Sequence, residues 1–141
     1  MLSKRFIVSF VAVLVCALPG CVSPEQTALP EFHGTLDMRL DKTVFAPSEE
    51  ITVHVKNNYS KTINFPNDGL GTEFFVYDEN ANEWIWYRGQ TAGQMEVDLN
   101  PGELYDFPAN LPEDAGRYKL QIRGRDYSNK IHEAWVEFRI A

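Results

Sequence analysis

Cysteine is nearly absent from this 141-residue chain: Cys16 and Cys21 are the two it holds, so everything beyond Cys21 must fold without an internal disulfide. Histidine is equally scarce, and His33, His54 and His132 have no partner at metal-ligand spacing; His54 and His132 read as solvated surface residues on the polar side of their strands. Positive charge is in deficit, with 13 Lys and Arg against 20 Asp and Glu for a net of −7. That balance argues against nucleic acid as a partner and against flat adsorption on an anionic lipid surface. No serine sits in a nucleophile elbow. Asp78, Asn80 and Asn82 mimic the start of a calcium loop, but glycine is missing from the sixth position and Gly89 stands at the twelfth, so a polar hairpin turn explains them better. These absences leave no catalytic residue, no metal site and no cofactor to assign, and they place enzyme last among the function classes.

What the chain does have begins at its N-terminus. Lys4 and Arg5 precede an apolar run over residues 6–18, broken by Ser9 and too short to span a bilayer as a mature helix. This is the grammar of an export signal. Its ending, Leu18-Pro19-Gly20-Cys21, resembles a lipobox, the motif at which lipoprotein signals are cut so that the cysteine becomes the lipidated first residue. The resemblance implies a signal peptide over residues 1–20 and a membrane anchor at Cys21. It places the protein in the cell envelope, on the outer face of the cytoplasmic membrane or on the outer membrane. Lipidation also explains a cysteine with no disulfide partner in an exported chain. Loss of residues 1–20 leaves 121 residues, one domain's worth, carrying 11 basic and 20 acidic residues for a net of −9. Residues 21–33 hold two prolines and no periodicity, and read as a tether reaching about 40 Å when extended.

From residue 34 to the end the apolar spacing has period two. Leu36/Met38/Leu40, Ile51/Val53/Val55, Ile63/Phe65, Met95/Val97/Leu99, Tyr118/Leu120/Ile122 and Ala134/Val136/Phe138/Ile140 each alternate with polar residues, as half-buried strands do. Turn signals separate them at Asn57-Asn58, Asn67-Asp68-Gly69, Asn80-Ala81-Asn82, Asn100-Pro101-Gly102 and Gly124-Arg125-Asp126. The expected fold class is all-β, a single antiparallel sandwich or barrel.

Residues 113–120, Glu-Asp-Ala-Gly-Arg-Tyr-Lys-Leu, sharpen that expectation. They resemble the entry to the sixth strand of immunoglobulin domains, where Asp114, Gly116 and Tyr118 would form a structural corner. The tyrosine packs inward there and its hydroxyl bonds to the backbone upstream. The next inward position, usually cysteine, is Leu120. A longer series is similar to the intracellular proteinase inhibitor family: Phe45-Ala46-Pro47-Ser48-Glu49-Glu50-Ile51, Val55-Lys56-Asn57, Ile63-Asn64-Phe65, Glu73-Phe74-Phe75-Val76-Tyr77-Asp78, Glu83-Trp84-Ile85-Trp86, Leu99-Asn100-Pro101-Gly102-Glu103 and Gly116-Arg117-Tyr118 follow in order. Ser48 stands where that family usually carries glycine. The resemblance implies an immunoglobulin-like antiparallel β-sandwich and, by the family's name, inhibition of serine proteases.

The chemistry left to the chain is surface recognition. Residues 74–77 and 84–87 put apolar side chains on both faces of two adjacent strands, of which one face alone can enter a two-layer core. Phe74, Phe75, Trp84 and Trp86, joined by Trp135, are therefore the candidate partner-binding residues. Two readings follow: a noncatalytic, membrane-anchored module that contacts an unidentified protein partner through this aromatic hairpin, or an inhibitor that offers residues 66–72 or 87–93 to an extracellular protease. Asn67-Asp68-Gly69-Leu70-Gly71 reads as flexible and glycine-rich, which favours the first.

Overall fold

Alternation in the sequence becomes alternation of burial wherever two layers can share a core. The computed structural model describes residues 34–90 and 93–141; the segments expected to be an export signal and a tether, with Cys21 and His33, lie outside the described residues. Ten strands follow in order: β1 (Leu36–Arg39), β2 (Val44–Phe45), β3 (Glu50–Asn57), β4 (Ile63–Phe65), β5 (Glu73–Asp78), β6 (Glu83–Gly89), β7 (Val97–Leu99), β8 (Leu104–Asn110), β9 (Gly116–Asp126) and β10 (Ile131–Ile140). There is no helix among the described residues. One sheet runs β1-β3-β8 and the other β2-β10-β9-β4-β7, with β5 also on β9 and β6 on β5. The β2–β10 pair is parallel and the other pairs are antiparallel. The chain is an all-β, immunoglobulin-like sandwich.

The core is built from the inward rows of both sheets. Val53 and Val55 of β3, Phe107 and Ala109 of β8, Leu120 and Ile122 of β9, and Val136 and Ile140 of β10 are all buried. At one end four aromatic rings lock together. Phe138 stacks on Tyr118 at 5.7 Å and takes the edges of Phe45 at 5.8 Å and Phe74 at 6.4 Å. Such pairs add to the transfer energy of burial through their edge-to-face or offset geometry. The Tyr118 hydroxyl donates to the Asp114 carbonyl oxygen at 2.9 Å, and a Cβ on Gly116 would come within 3.3 Å of the same ring.

β4 and β5 lie end to end along β9, with Ile63 opposite Asp126 and Phe74 opposite Leu120. The link between them, residues 66–72, is a tied turn rather than the flexible loop its glycines imply. Asn67 Oδ1 accepts from the Gly69 and Gly71 amides at 3.0 and 3.1 Å, and Leu70 is buried in the core. Gly124 belongs to the same junction. A Cβ there would lie 2.6 Å from Ile63 Cγ2 and 2.9 Å from the Asn64 carbonyl oxygen, so glycine is what lets β4 close on β9. The expected turn at Gly124-Arg125-Asp126 is thus the end of β9, and the reversal falls on residues 127–130.

Two further expectations are corrected. Met95 is exposed, because β7 starts at Val97 and pairs with a β4 that is three residues long. His132 is buried: it shares the parity of Ala134 and Val136 and so points into the core. Ser48 adopts φ 57, in the left-handed region that favours glycine.

The free edge of β8 is closed by side chains. Arg88 Nη2 donates to the Asn110 carbonyl oxygen at 2.6 Å, Gln90 Nε2 donates to that of Pro108 at 2.8 Å, and Pro108 itself has no N–H to offer.

Candidate functional site

Strand pleat and register gather the outward side chains of four neighbouring strands onto one face. Phe75 of β5 lies opposite Trp86 of β6 on one side and Lys119 of β9 on the other; Tyr77 lies opposite Trp84, and Gln121 opposite Trp135 of β10. Phe75, Tyr77, Trp84, Trp86 and Trp135 therefore share the solvent side of a single sheet. Trp86 remains 58% exposed and Trp135 43% exposed, while Phe75, Tyr77 and Trp84 are half-buried by their neighbours.

Cations fill the spaces between the rings. The outward positions of β9 read Arg117, Lys119, Gln121, Arg123 and Arg125. Arg117 sits 4.6 Å from the Tyr77 ring and 5.3 Å from that of Trp84. Lys119 Nζ lies 4.8 Å from Phe75, 5.1 Å from Trp84 and 5.8 Å from Trp135. Contacts of this kind draw each cation to the ring face electrostatically. Glu137 is opposite Lys119 in register but gives its carboxylate to Arg117 at 2.8 Å, and Glu133 pairs with Arg123 at 2.8 Å. Among the described residues, Lys119 has no carboxylate partner. This cationic row is legible in the sequence as the polar half of the Tyr118/Leu120/Ile122 alternation, a signal separate from the aromatic pattern.

Of the candidate binding residues, Phe75, Trp84, Trp86 and Trp135 lie on this face and Phe74 does not. Phe74 is fully buried against Phe138, with the Arg88 guanidinium 5.3 Å from its ring. A β-bulge accounts for the packing beside it. Phe74 pairs with Arg88 and Phe75 with Trp86, which leaves Tyr87 as the extra residue, turned edge-on to Tyr118 at 5.8 Å. The hairpin tip is a polar turn: Asp78 Oδ1 accepts from the Asn80 and Ala81 amides, and Asn82 takes φ 55.

Two histidine constellations lie elsewhere. His132 Nε2 is 3.1 Å from Asp126 Oδ2 and its Nδ1 is 2.9 Å from Thr35 Oγ1, with the Tyr59 ring 4.5 Å away and tilted by 44°. The order hydroxyl, imidazole, carboxylate is that of a hydrolase relay, with the His132 and Asp126 side chains each 1% exposed and Thr35 half-buried. The hydrogen bond from His132 is the main reason the Asp126 carboxyl sits below its ordinary pKa. His54, on the outer side of the other sheet, is held between Asp106 at 2.9 Å and Asp41 at 2.8 Å. Burial opposes charging of this ring, yet the two carboxylates outweigh it and raise the His54 pKa above its ordinary value.

No family model matches the sequence, and no curated protein matches it. Solved structures do resemble it. The structural genomics target SoR45 superposes with a TM-score of 0.54 at 14% identity over 78% of this chain and 88% of that one. The Bordetella pertussis protein bearing the name ApaA, target BeR40, gives 0.52 at 18% identity over 79% and 97%. The sporulation control protein Spo0M of Bacillus subtilis gives 0.48 at 16% identity, over 75% of this chain and 48% of that one. At these identities the likeness to SoR45 and BeR40 is one of fold alone.

Proposed function

We propose that this chain is a noncatalytic recognition module, held in the cell envelope by a lipid on Cys21 and presenting the β6-β5-β9-β10 face to a protein partner. One observation carries the reading. Phe75, Trp84, Trp86 and Trp135 share one sheet face, and Trp86 and Trp135 keep 58% and 43% of their surface in solvent. Large aromatic side chains are expensive to leave wet, and Trp, Tyr and Arg dominate the energetics of protein interfaces.

The test is chemical cross-linking of the full chain in its native envelope, with the wild type compared with Trp86→Ala. The expected result is a cross-linked partner that disappears in the variant while the melting temperature holds. An unchanged cross-linking pattern would overturn the reading. The resemblance to the proteinase inhibitor family supports a second reading, which a titration against subtilisin separates from the first. Stoichiometric inhibition relieved by changes within residues 66–72 or 87–93 would favour the inhibitor. Residues 66–72 are folded onto the core through Leu70, which weakens the case for that loop as an extended bait.

A further inference from the structure

We propose that Lys119 is the specificity-determining residue of the aromatic face and that it docks a carboxylate from an acidic polypeptide segment flanked by apolar side chains. The inference rests on the reading of this face as the recognition surface and names the chemistry of its partner.

Three observations lead to it. The first is position: Lys119 Nζ stands among Phe75, Trp84 and Trp135, within 4.8 to 5.8 Å of each ring centre. Rings stand around the ammonium, and Lys119 stays half-exposed, within reach of an anion. The second is charge. Glu137, the carboxylate opposite Lys119, is committed to Arg117, and Glu133 to Arg123, so Lys119 keeps its charge unpaired among the described residues. Down the same strand, Arg125 has a hydrogen bond to Asn129 at 3.0 Å and no carboxylate among the described residues. In a chain of net charge −7 this row is a local reversal of sign, and it is complementary to an acidic partner.

The third is spacing. Outward residues two apart on a strand lie about 6.8 Å from one another, the same repeat with which an extended acidic chain presents its side chains. A carboxylate on Lys119 would be enclosed by aromatic rings on this side and by the partner's apolar neighbours on the other. Water would be excluded from the pair, the arrangement in which a single interfacial charge has most influence.

The experiment uses the full chain in mild detergent and four probes: a random copolymer of glutamate and tyrosine, polyglutamate, alginate, and vesicles containing an anionic phospholipid. Binding is followed by Trp fluorescence and by sedimentation, with wild type, Lys119→Met, Lys119→Arg and Trp86→Ala. The expected order places the glutamate–tyrosine copolymer first. Lys119→Met should weaken that binding by about tenfold, Lys119→Arg by much less, and Trp86→Ala by about tenfold. Methionine preserves the packing of the lysine stem, and circular dichroism melting confirms that the variants fold. If Trp86→Ala weakens binding and Lys119→Met does not, the carboxylate inference is overturned and the recognition face stands. If neither change matters, both fall. Tighter binding of alginate or of vesicles would overturn the inference in favour of an acidic glycan or a lipid headgroup. Equal binding of polyglutamate would overturn the requirement for apolar flanks.

Discussion

Tyr118 reaches back four residues to place its hydroxyl 2.9 Å from the carbonyl oxygen of Asp114, while its ring stacks on Phe138. Asp114 thus serves the corner through its backbone, and its side chain is dispensable there. Tyr118→Phe should cost about 1 kcal/mol, the net contribution of one hydrogen bond, and Tyr118→Ala roughly 3 to 5 kcal/mol as a cavity opens in the aromatic cluster. Urea denaturation distinguishes the two; equal and negligible losses would remove the corner from the account of stability.

The inner and outer faces of the β5–β6 hairpin should behave in opposite ways. Phe74→Ala empties a fully buried site and is expected to destabilise the domain by roughly 3 to 5 kcal/mol. Trp86→Ala, at the far side of the same hairpin, should shift stability by less than about 0.5 kcal/mol. Thermal melts of the two variants check this, and similar losses for both would mean that the outer face is covered.

The corner and the hairpin show what was legible and why. Tyr118, Leu120 and Ile122, or Ala134, Val136 and Phe138, alternate cleanly with polar residues, so each strand's parity could be read locally. Phe74 and Phe75 are both aromatic, and what decides between them is a pairing with Leu120 and Lys119 more than forty positions away in sequence. His132 had the parity of a core residue; what hid it was the ordinary preference of imidazole for water, overcome here by Asp126 and Thr35. Met95 continued an alternation that the structure cuts short, because the partner strand supplies no residues to pair with it. The cage around Lys119 needed three strands to assemble, though its cationic row was visible along one.

His54 predicts a pH dependence. Its folded pKa is raised, so the stability it contributes is fully present below its unfolded pKa and is lost as pH rises through the folded value. The difference in melting temperature between wild type and His54→Gln should therefore be largest near about pH 5 and shrink by about pH 8. With the side chain 37% exposed, the effect should also weaken in high salt. A gap that widens on the alkaline side would contradict the two carboxylate contacts.

Ser48→Gly is expected to stabilise the domain, since Ser48 holds a left-handed φ of 57 that costs a residue with a Cβ roughly 1 kcal/mol. Part of the gain is offset by the greater freedom of glycine in the unfolded chain, leaving about 0.5 kcal/mol. Chemical denaturation of the variant is the measurement, and a loss of stability would show that the serine side chain has a role of its own.

Cys21→Ser tests the anchor that the lipobox resemblance implies. The variant is expected to lose acyl labelling and to accumulate unprocessed or mislocalised, because a hydroxymethyl group cannot substitute for acyl chains in a bilayer. Normal partitioning of the variant into a detergent phase would overturn lipidation at this residue.

The closed rim of β8 has a consequence for how such molecules tolerate crowding. A visiting chain that tries to extend that sheet meets Pro108, which offers no donor, and two carbonyl oxygens already taken by Arg88 and Gln90. Fibre growth by strand addition has no foothold there. β6, like β1 and β7, is paired on one side alone, and its open edge lies beside Trp84 and Trp86. The surface proposed to meet a partner and this open rim are neighbours, and occupancy of the first would shield the second.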